Sequence, residues 1–327
     1  MRGRLLPVLL LVIATTGTQA RAFDHVHADW TALLERHLTV SGGVGTVDYA
    51  GLGAERAVLD RYLAALSGVT ADEFSLFSAD ERLAFLINAY NAFTVQLVLD
   101  HQPLDSIKDV GGWFRSPWKR RFFELLGEVR HLDDVEHGMI REWFDEPRIH
   151  FAVNCAARSC PPLQEEAFVA SRLEAQLERV TSHFLRDPRR TRFDAERGRL
   201  ALPSVIDWYR DDFETGGQRL GTFVADRLAD DPGEAEAIRV ARITFLDYDW
   251  ALNAPWIQPD DPSFMDSRID EALQATSSAR SRRVSTLNAT VPGACPGGGE
   301  CRQIQSTSDT LASKSGSVSH SRYILVR

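Results

Sequence analysis

The side chains best suited to covalent and acid–base chemistry are concentrated between residues 131 and 160. Cys155 and Cys160 end this segment, and His137 and His150 precede them. A thiolate is a strong nucleophile, and a neighbouring imidazole is a common base for generating it. These residue types therefore predict a thiol-dependent hydrolase or acyltransferase that acts on a peptide or amide bond.

Cys160 is the predicted nucleophile because of the residues that follow it. Pro161 and Pro162 come next, and proline favours the first turn of a helix. The unpaired N–H groups at a helix N-terminus stabilise a thiolate and lower the thiol pKa. A helix that begins at Pro161 would therefore activate Cys160.

Cys155 is the second choice, because the segment that carries it has the pattern of a strand. This segment, RIHFAVNC, alternates β-branched and aromatic residues with others. Successive side chains of a strand point to opposite faces, so the pattern places His150, Ala152 and Asn154 on one face and Cys155 on the other. Since free cysteine is among the most buried residue types, we expect Cys155 to pack in the core.

A catalytic thiol also needs a base and a group that orients the base. His150 and His137 are the candidate bases, and Glu136 is the predicted orienter. In papain-like enzymes the cysteine precedes the histidine along the chain, whereas here the histidines come first. The geometry of such residues defines their roles, so the reversed order does not exclude the chemistry.

Three asparagines are candidates for contact with a substrate. Asn88 and Asn91 lie three residues apart on one face of a predicted apolar helix, and Asn154 follows the predicted strand position of His150. A buried amide is costly unless it is hydrogen-bonded. Asn88 and Asn91 therefore either contact a reacting carbonyl or, as we favour slightly, satisfy backbone groups of neighbouring loops.

Two other roles for the cysteines are open. In an exported protein a disulfide between Cys155 and Cys160 is sterically accessible, and it would make the segment part of a non-catalytic envelope binding or assembly module. Zinc is a further alternative, with His131 among its ligands, but C-x4-C lacks the tight spacing usual for zinc, and no metal site is predicted. The sequence contains neither a GxGxxG nor a GxxxxGK[ST] motif, so no cofactor is predicted.

The first 22 residues have the pattern of a cleavable secretory signal. Arg2 and Arg4 precede an apolar run that is too short for a membrane span, and the run is followed by the small-residue site Ala20-Arg21-Ala22. We therefore expect a mature chain that begins near residue 23, has no transmembrane span and is periplasmic or secreted.

The charge of the mature chain opposes binding to polyanions. Removing residues 1–22 removes three arginines and no acidic residue, which moves the formal charge from −9 to −12. An acidic protein without a basic stripe is repelled by nucleic acid phosphates. The expected partner is a peptide or another envelope component, and its identity is open.

Periodicity predicts a helix-rich single domain of the α+β class with a small, mostly antiparallel sheet. The domain is expected over residues 23–276, and residues 277–327, with Cys295 and Cys301, have the composition of a disordered tail. The central element is predicted to be the helix that Ser78 begins, since its sequence is apolar almost all round. Further helices are predicted at 24–40, 51–66, 132–144, 161–185, 204–213 and 217–228. Hairpins are predicted around Gly127 and at 191–201, and a strand at 243–253.

Five segments between residues 78 and 253 resemble the bacterial domain-of-unknown-function family 547. They occur in the family's order and read LINAYNAFTV, LDDVEHGMIR, DPRIHFAVNCAARSCPPL, VIDWYRDDF and FLDYDWALN. The resemblance implies one α+β domain and directs attention to the residues inside its motifs, namely Glu136, His137, His150, Cys155 and Cys160. The family name implies no specific activity.

Overall fold

The apolar segment after Ser78 forms a helix around which the other elements pack. The computed structural model describes residues 22–41, 44–114 and 116–255. The predicted tail and almost all of the predicted signal segment lie outside these residues. Twelve α-helices are described: α1 Ala28–His37, α2 Tyr49–Ala54, α3 Arg56–Gly68, α4 Ala71–Ser75, α5 Ala79–Leu99, α6 Leu132–Val135, α7 Arg141–Trp143, α8 Leu173–Leu185, α9 Ser204–Trp208, α10 Arg210–Phe213, α11 Leu220–Leu228 and α12 Pro232–Val240.

Three small sheets accompany the helices. The strands are β1 Leu38–Ser41, β2 Val44–Val47, β3 Phe123–Leu125, β4 Glu128–Arg130, β5 Arg192–Asp194, β6 Arg199–Leu202 and β7 Arg242–Phe245. The pairs β1–β2, β3–β4 and β5–β6 are antiparallel, and β7 pairs in parallel with β6. The predicted helix-rich α+β class is therefore confirmed, with the strands divided among three sheets.

The central helix α5 begins as its sequence predicts. The Ser78 hydroxyl accepts from the backbone N–H of Glu81, and the Glu81 carboxylate accepts from that of Ser78, which is a capping box. Among the described residues α5 is the one helix long and apolar enough to cross a membrane, and 83% of its apolar window is buried inside the domain. It contacts α2, α3 and α6, so it forms the centre of the core.

A 3-10 helix followed by irregular backbone replaces the strand predicted over RIHFAVNC. Residues Pro147–Phe151 form a 3-10 helix, which Pro147 starts and which the Glu146 side chain caps by accepting from the Arg148 N–H. Residues 149–154 are buried on all sides, so their apolar alternation marks no face. The strand prediction is wrong because burial on both sides produces an apolar pattern without a sheet.

The helix predicted over residues 161–185 begins later than expected, so its predicted start at Pro161 is wrong. Residues 161–169 are irregular, a 3-10 turn follows at Ala170–Arg172, and α8 begins only at Leu173. Gln176 of α8 accepts from the Val169 N–H at 2.9 Å and donates to the Ala167 carbonyl at 2.8 Å. Side chains thus satisfy backbone groups that a helix would have paired.

Asn88 and Asn91 of α5 hold this irregular chain in the same way. Asn88 donates to the Phe168 carbonyl at 2.7 Å and accepts from the Phe168 N–H at 3.0 Å. Asn91 donates to the Ala152 carbonyl at 2.9 Å and accepts from the Asn154 N–H at 2.8 Å. Both amides therefore satisfy loop backbone, as the favoured interpretation predicts.

His27, the residue before α1, is buried against α3. Its Nδ1 lies 2.6 Å from the Tyr62 hydroxyl, and both side chains are buried. Burial lowers the pKa of His27 to about 3, against a smaller opposing effect of Asp24. The imidazole is therefore neutral in the folded state and is hydrogen-bonded to the Tyr62 hydroxyl.

We expect Asn91→Ala to lower the free energy of unfolding by about 3 kcal/mol, because two buried backbone groups lose their partner. Gln96→Ala is the matched control on the same helix, since the Gln96 Oε1 has no hydrogen-bond partner among the described residues. Its expected cost is below about 1 kcal/mol. Urea unfolding of both variants measures the difference, and equal losses would contradict the role given to Asn91.

We expect the protein to lose stability as the pH falls from 7 to 5, and His27→Gln to remove part of this loss. An unfolded His27 binds a proton near pH 6.5 and the folded one does not, so the unfolded state gains protons first. The difference amounts to about 2 kcal/mol at pH 5. Urea unfolding at the two pH values tests this, and an unchanged pH dependence in the variant would contradict it.

Candidate functional site

A cavity of about 270 Å³ contains most of the predicted catalytic residues. Its titratable and sulfur-containing lining comes from Asp133, Glu136, His137, His150, Cys155 and Cys160. Its aromatic lining comes from Tyr90, Trp118, Trp208, Tyr209, Tyr248 and Trp250. The predicted thiols, bases and orienter therefore share one cavity, whereas Asn88, Asn91 and Asn154 do not line it.

A tight turn brings the two cysteines together. Ala156 adopts the left-handed conformation at φ 59°, which costs a non-glycine residue roughly 1–2 kcal/mol. The Asn154 side chain supports the turn by accepting from the Ala156 N–H at 2.9 Å. Asn154 also donates to the Pro161 carbonyl at 2.7 Å, so it positions both ends of the segment.

Cys155 and Cys160 are joined by a disulfide, with their Cα atoms 6.0 Å apart. Cys160 is buried, whereas Cys155 is partly exposed, contrary to the expected core position of Cys155. The Cys155 N–H donates to Cys160 Sγ at 2.7 Å, and the Tyr248 hydroxyl lies 3.1 Å from Cys155 Sγ. Each sulfur therefore has a hydrogen-bond donor, although neither faces a helix N-terminus.

His150 is held by a carboxylate that the sequence did not indicate. Its Nε2 lies 2.7 Å from Oδ2 of Asp212, the third residue of α10. Arg141 of α7 binds both oxygens of Asp212, at 2.6 and 2.7 Å. Asp212, and not Glu136, is thus the group that orients the imidazole.

The charges of this pair are set by burial and hydrogen bonding. Burial lowers the pKa of His150, and the Asp212 hydrogen bond offsets only part of that effect. Although its own partial burial opposes ionisation, the bonds from His150 and Arg141 hold the pKa of Asp212 well below its usual range. His150 is therefore a neutral imidazole that donates from Nε2 to an ionised carboxylate.

The second nitrogen of the His150 imidazole, Nδ1, is buried and makes no hydrogen bond to the described residues. With Nε2 carrying the proton, Nδ1 has an unshared lone pair. His150 also stacks on the Tyr209 ring, with centroids 3.8 Å apart and planes 12° apart, which fixes the orientation of the imidazole.

Glu136 contacts tyrosines and not the imidazole. The Tyr209 hydroxyl donates to its Oε1 at 2.6 Å, and the carboxylate is 5% exposed. Burial, together with this carboxylate, raises the pKa of Tyr209 and of Tyr90, so both hydroxyls stay protonated. The predicted role of Glu136 as orienter of His150 is therefore wrong, because Asp212 occupies that position.

A π-helical turn places two side chains against the same tyrosine. Residues Glu136–Ile140 form this turn, and the Arg141 N–H donates to the Glu136 carbonyl five residues earlier. Residues five apart lie about 140° apart on an α-helix but on one face of a π turn. Glu136 therefore bonds the Tyr209 hydroxyl while the Arg141 guanidinium lies 5.1 Å from the Tyr209 ring centroid.

His137 is the weaker of the two predicted bases. Its side chain lines the cavity but is exposed, and its Nδ1 lies 3.1 Å from an Arg141 nitrogen. No carboxylate of the described residues orients it by a hydrogen bond. His150 is therefore the better placed base.

A larger cleft of about 900 Å³ lies elsewhere on the domain. Its charged lining is largely held in ion pairs, including Glu166 with Arg179 at 2.6 Å and Asp187 with Arg190 at 3.3 Å. It contains neither cysteine. The smaller cavity is the better candidate site because both cysteines and His150 line it.

The sequence missed Asp212 and Tyr209, which lie in the segment VIDWYRDDF. That segment has an aromatic pattern typical of core and corner residues, and nothing in it points to His150, 62 residues earlier. No group of three or more His, Cys, Asp or Glu side chains in the described part of the chain is arranged to hold a metal ion.

Comparison with known proteins agrees with the resemblance found in the sequence. Residues 74–185 match the model of a family described as "Protein of unknown function, DUF547", and this span contains α5, Glu136, His150 and both cysteines. No curated protein and no solved structure matches the chain significantly. The later motifs, with Asp212, lie beyond the matched span but contact it directly. The chain therefore carries a DUF547-type domain.

Proposed function

We propose that this protein is an exported, thiol-dependent hydrolase or acyltransferase that acts on a peptide or amide bond. One observation carries the proposal: a neutral, buried imidazole with an unpartnered Nδ1 shares a cavity with two cysteines, and Asp212 holds its Nε2 at 2.7 Å. A nucleophile, a base and an orienter are the three parts that such catalysis needs.

The structure corresponds to an oxidised state, so catalysis requires reduction first. A dithiol reductant transfers two electrons and two protons to the Cys155–Cys160 disulfide, which yields two thiols and converts the reductant to its disulfide. Cys160 is the proposed nucleophile, since the Cys155 N–H that contacts its sulfur would also stabilise a thiolate. Cys155, whose sulfur contacts the Tyr248 hydroxyl, is the second choice.

The residues then divide the steps of acyl transfer among them. His150 Nδ1 accepts the thiol proton, and the thiolate attacks the carbonyl carbon. The imidazolium returns the proton to the departing amine as the C–N bond breaks and a thioester remains. Water or a second amine then attacks the thioester, with His150 accepting its proton, and the thiol is regenerated. Asp212 stabilises the imidazolium in both steps.

Export is supported by the first 22 residues and agrees with the disulfide. The short apolar run behind Arg2 and Arg4 has the pattern of a cleavable signal. Disulfides persist in oxidising compartments such as the periplasm and the extracellular space. A periplasmic or secreted location is therefore part of the proposal.

A non-catalytic binding or assembly module is the second candidate, and the closed disulfide favours it. In that case the bridge staples the turn of Asn154 and Ala156 to the following segment. Reduction would lower the free energy of unfolding by about 2 kcal/mol and reveal no reactivity. A catalytic thiol would instead become rapidly alkylated after reduction.

We expect Cys155→Ser to be active without reductant and Cys160→Ser to be inactive under all conditions. Removing Cys155 prevents the disulfide from blocking Cys160, whereas removing Cys160 removes the nucleophile. Hydrolysis of a fluorogenic peptide-amide library, with and without a dithiol, measures this, and mass spectrometry of alkylated protein locates the reactive sulfur. The reverse result would exchange the two roles. Equal inertness of wild type and both variants after reduction would falsify the thiol mechanism.

We expect Asp212→Asn to lower turnover by about 100-fold or more, because the amide neither fixes the tautomer of His150 nor stabilises its charged form. Asp211→Asn is the matched control, since Asp211 is the exposed neighbour on the same helix. Rates are compared at a temperature at which both variants are folded by circular dichroism. If the two substitutions have the same effect, Asp212 has no specific role.

A further inference from the structure

Two carboxylates line the cavity beside the disulfide without a basic ion-pair partner among the described residues. Asp133 and Glu136 both line it, and no Lys or Arg nitrogen of the described residues lies within ion-pair distance of either carboxylate. Lys119 and His137 lie close enough to influence Asp133 but make no ion pair with it. Asp212, which does not line the cavity, differs in this respect because Arg141 pairs with it.

Both carboxylates are shielded from solvent, Glu136 almost fully and Asp133 in part. Glu136 is 5% exposed, and its carboxylate is hydrogen-bonded by two tyrosine hydroxyls, that of Tyr209 at 2.6 Å and that of Tyr90. Burial raises the pKa of Asp133, and the smaller opposing effects of His137, Lys119 and His131 do not cancel this rise. A buried carboxylate without a cation is costly, so a bound cation would be strongly favoured there.

The cavity lining also includes aromatic rings in mutual contact. Trp208 stacks on Trp250 with centroids 5.7 Å apart, and Tyr248 contacts both rings at 4.7 and 4.5 Å. The faces of such rings attract ammonium groups. This cluster already holds one, since Lys108, which does not line the cavity, places its Nζ 3.7 Å from the Trp250 centroid.

The exposure of Trp208 points to a ligand at the cavity mouth. It is 49% exposed although it is among the largest apolar side chains of the domain. A partly exposed tryptophan that lines a concave, acidic cavity is typical of a recognition surface. The volume of about 270 Å³ admits a side chain or a chain terminus and not a folded partner.

We propose that this cavity binds the primary ammonium group of a peptide substrate, between the carboxylates of Asp133 and Glu136 and the partly exposed ring of Trp208. The inference rests on the proposed function in treating the bound peptide as a substrate. The binding itself needs no catalysis. The ammonium group belongs either to a lysine-like side chain or to a free chain terminus, and the chemistry that recognises it is the same in both cases.

Binding is tested on the oxidised protein, in which no thiol is free to react. Isothermal titration calorimetry at low ionic strength compares three probes: Nα-acetyl-lysine methylamide, norleucine methylamide and Nα-acetyl-norleucine methylamide. The first carries a side-chain ammonium group, the second a terminal one, and the third carries none and is otherwise closely matched. We expect at least one charged probe to bind about 10-fold or more tightly than the neutral probe.

Substitutions of the cavity carboxylates test whether the preference for a charged probe arises in this cavity. Asp133→Asn and Glu136→Gln should each reduce the preference for the charged probe by about 10-fold, whereas Asp72→Asn, an exposed carboxylate on α4, should leave it unchanged. Asp133 is partly exposed, so its variant remains informative if Glu136→Gln fails to fold. Equal affinity for all three probes, or a preference that survives in Asp133→Asn, would overturn the inference.

The same probes separate this inference from the proposed function. If the ammonium preference holds and the reduced protein hydrolyses no amide, the cavity binds cations and the hydrolase mechanism fails. If amides are hydrolysed at rates that do not depend on an ammonium group and no probe preference is seen, the mechanism holds and the cation site fails.

Discussion

The site depends on two buried amides of one helix. Asn88 and Asn91 of α5 each use a donor and an acceptor to hold an irregular chain, which they fix against the core at Ala152, Asn154 and Phe168. An extended segment in a sheet could not make the Ala156 turn that joins the cysteines. The central helix thus performs the task of a neighbouring strand at these two points, and between them residues 156–159 bond to the backbone of residues 249–253.

Sequence reasoning succeeds where local chemistry decides the structure. The capping box of Ser78 and Glu81, the hairpin around Gly127 and the all-round apolar character of α5 are properties of short segments, and each is found. It fails at Pro161 and along RIHFAVNC because side chains distant in sequence satisfy that backbone. A prediction from local pattern has no means of counting those distant partners.

Some residues of the candidate site could be predicted from the sequence and others could not. The cysteines and His150 are recognisable by residue type, and they do share a cavity. The orienting carboxylate is not recognisable, because Asp212 is one of two adjacent acids in α10 and gains its role only through contact with His150. Glu136 is nearer in sequence to His150 but faces Tyr209, so proximity along the chain identified the wrong acid.

The π turn at Glu136–Ile140 has a consequence for how this region tolerates changes in length. It is an α-helix with one residue too many, and that surplus residue sets the angular phase between the two halves of the helix. Loss of a single residue there would restore regular α-helical pairing and rotate everything beyond it by about 100° around the axis. The helix would become more regular, but Arg141 would lose its alignment with Tyr209. A change that improves the hydrogen bonding of the helix would therefore disrupt the site.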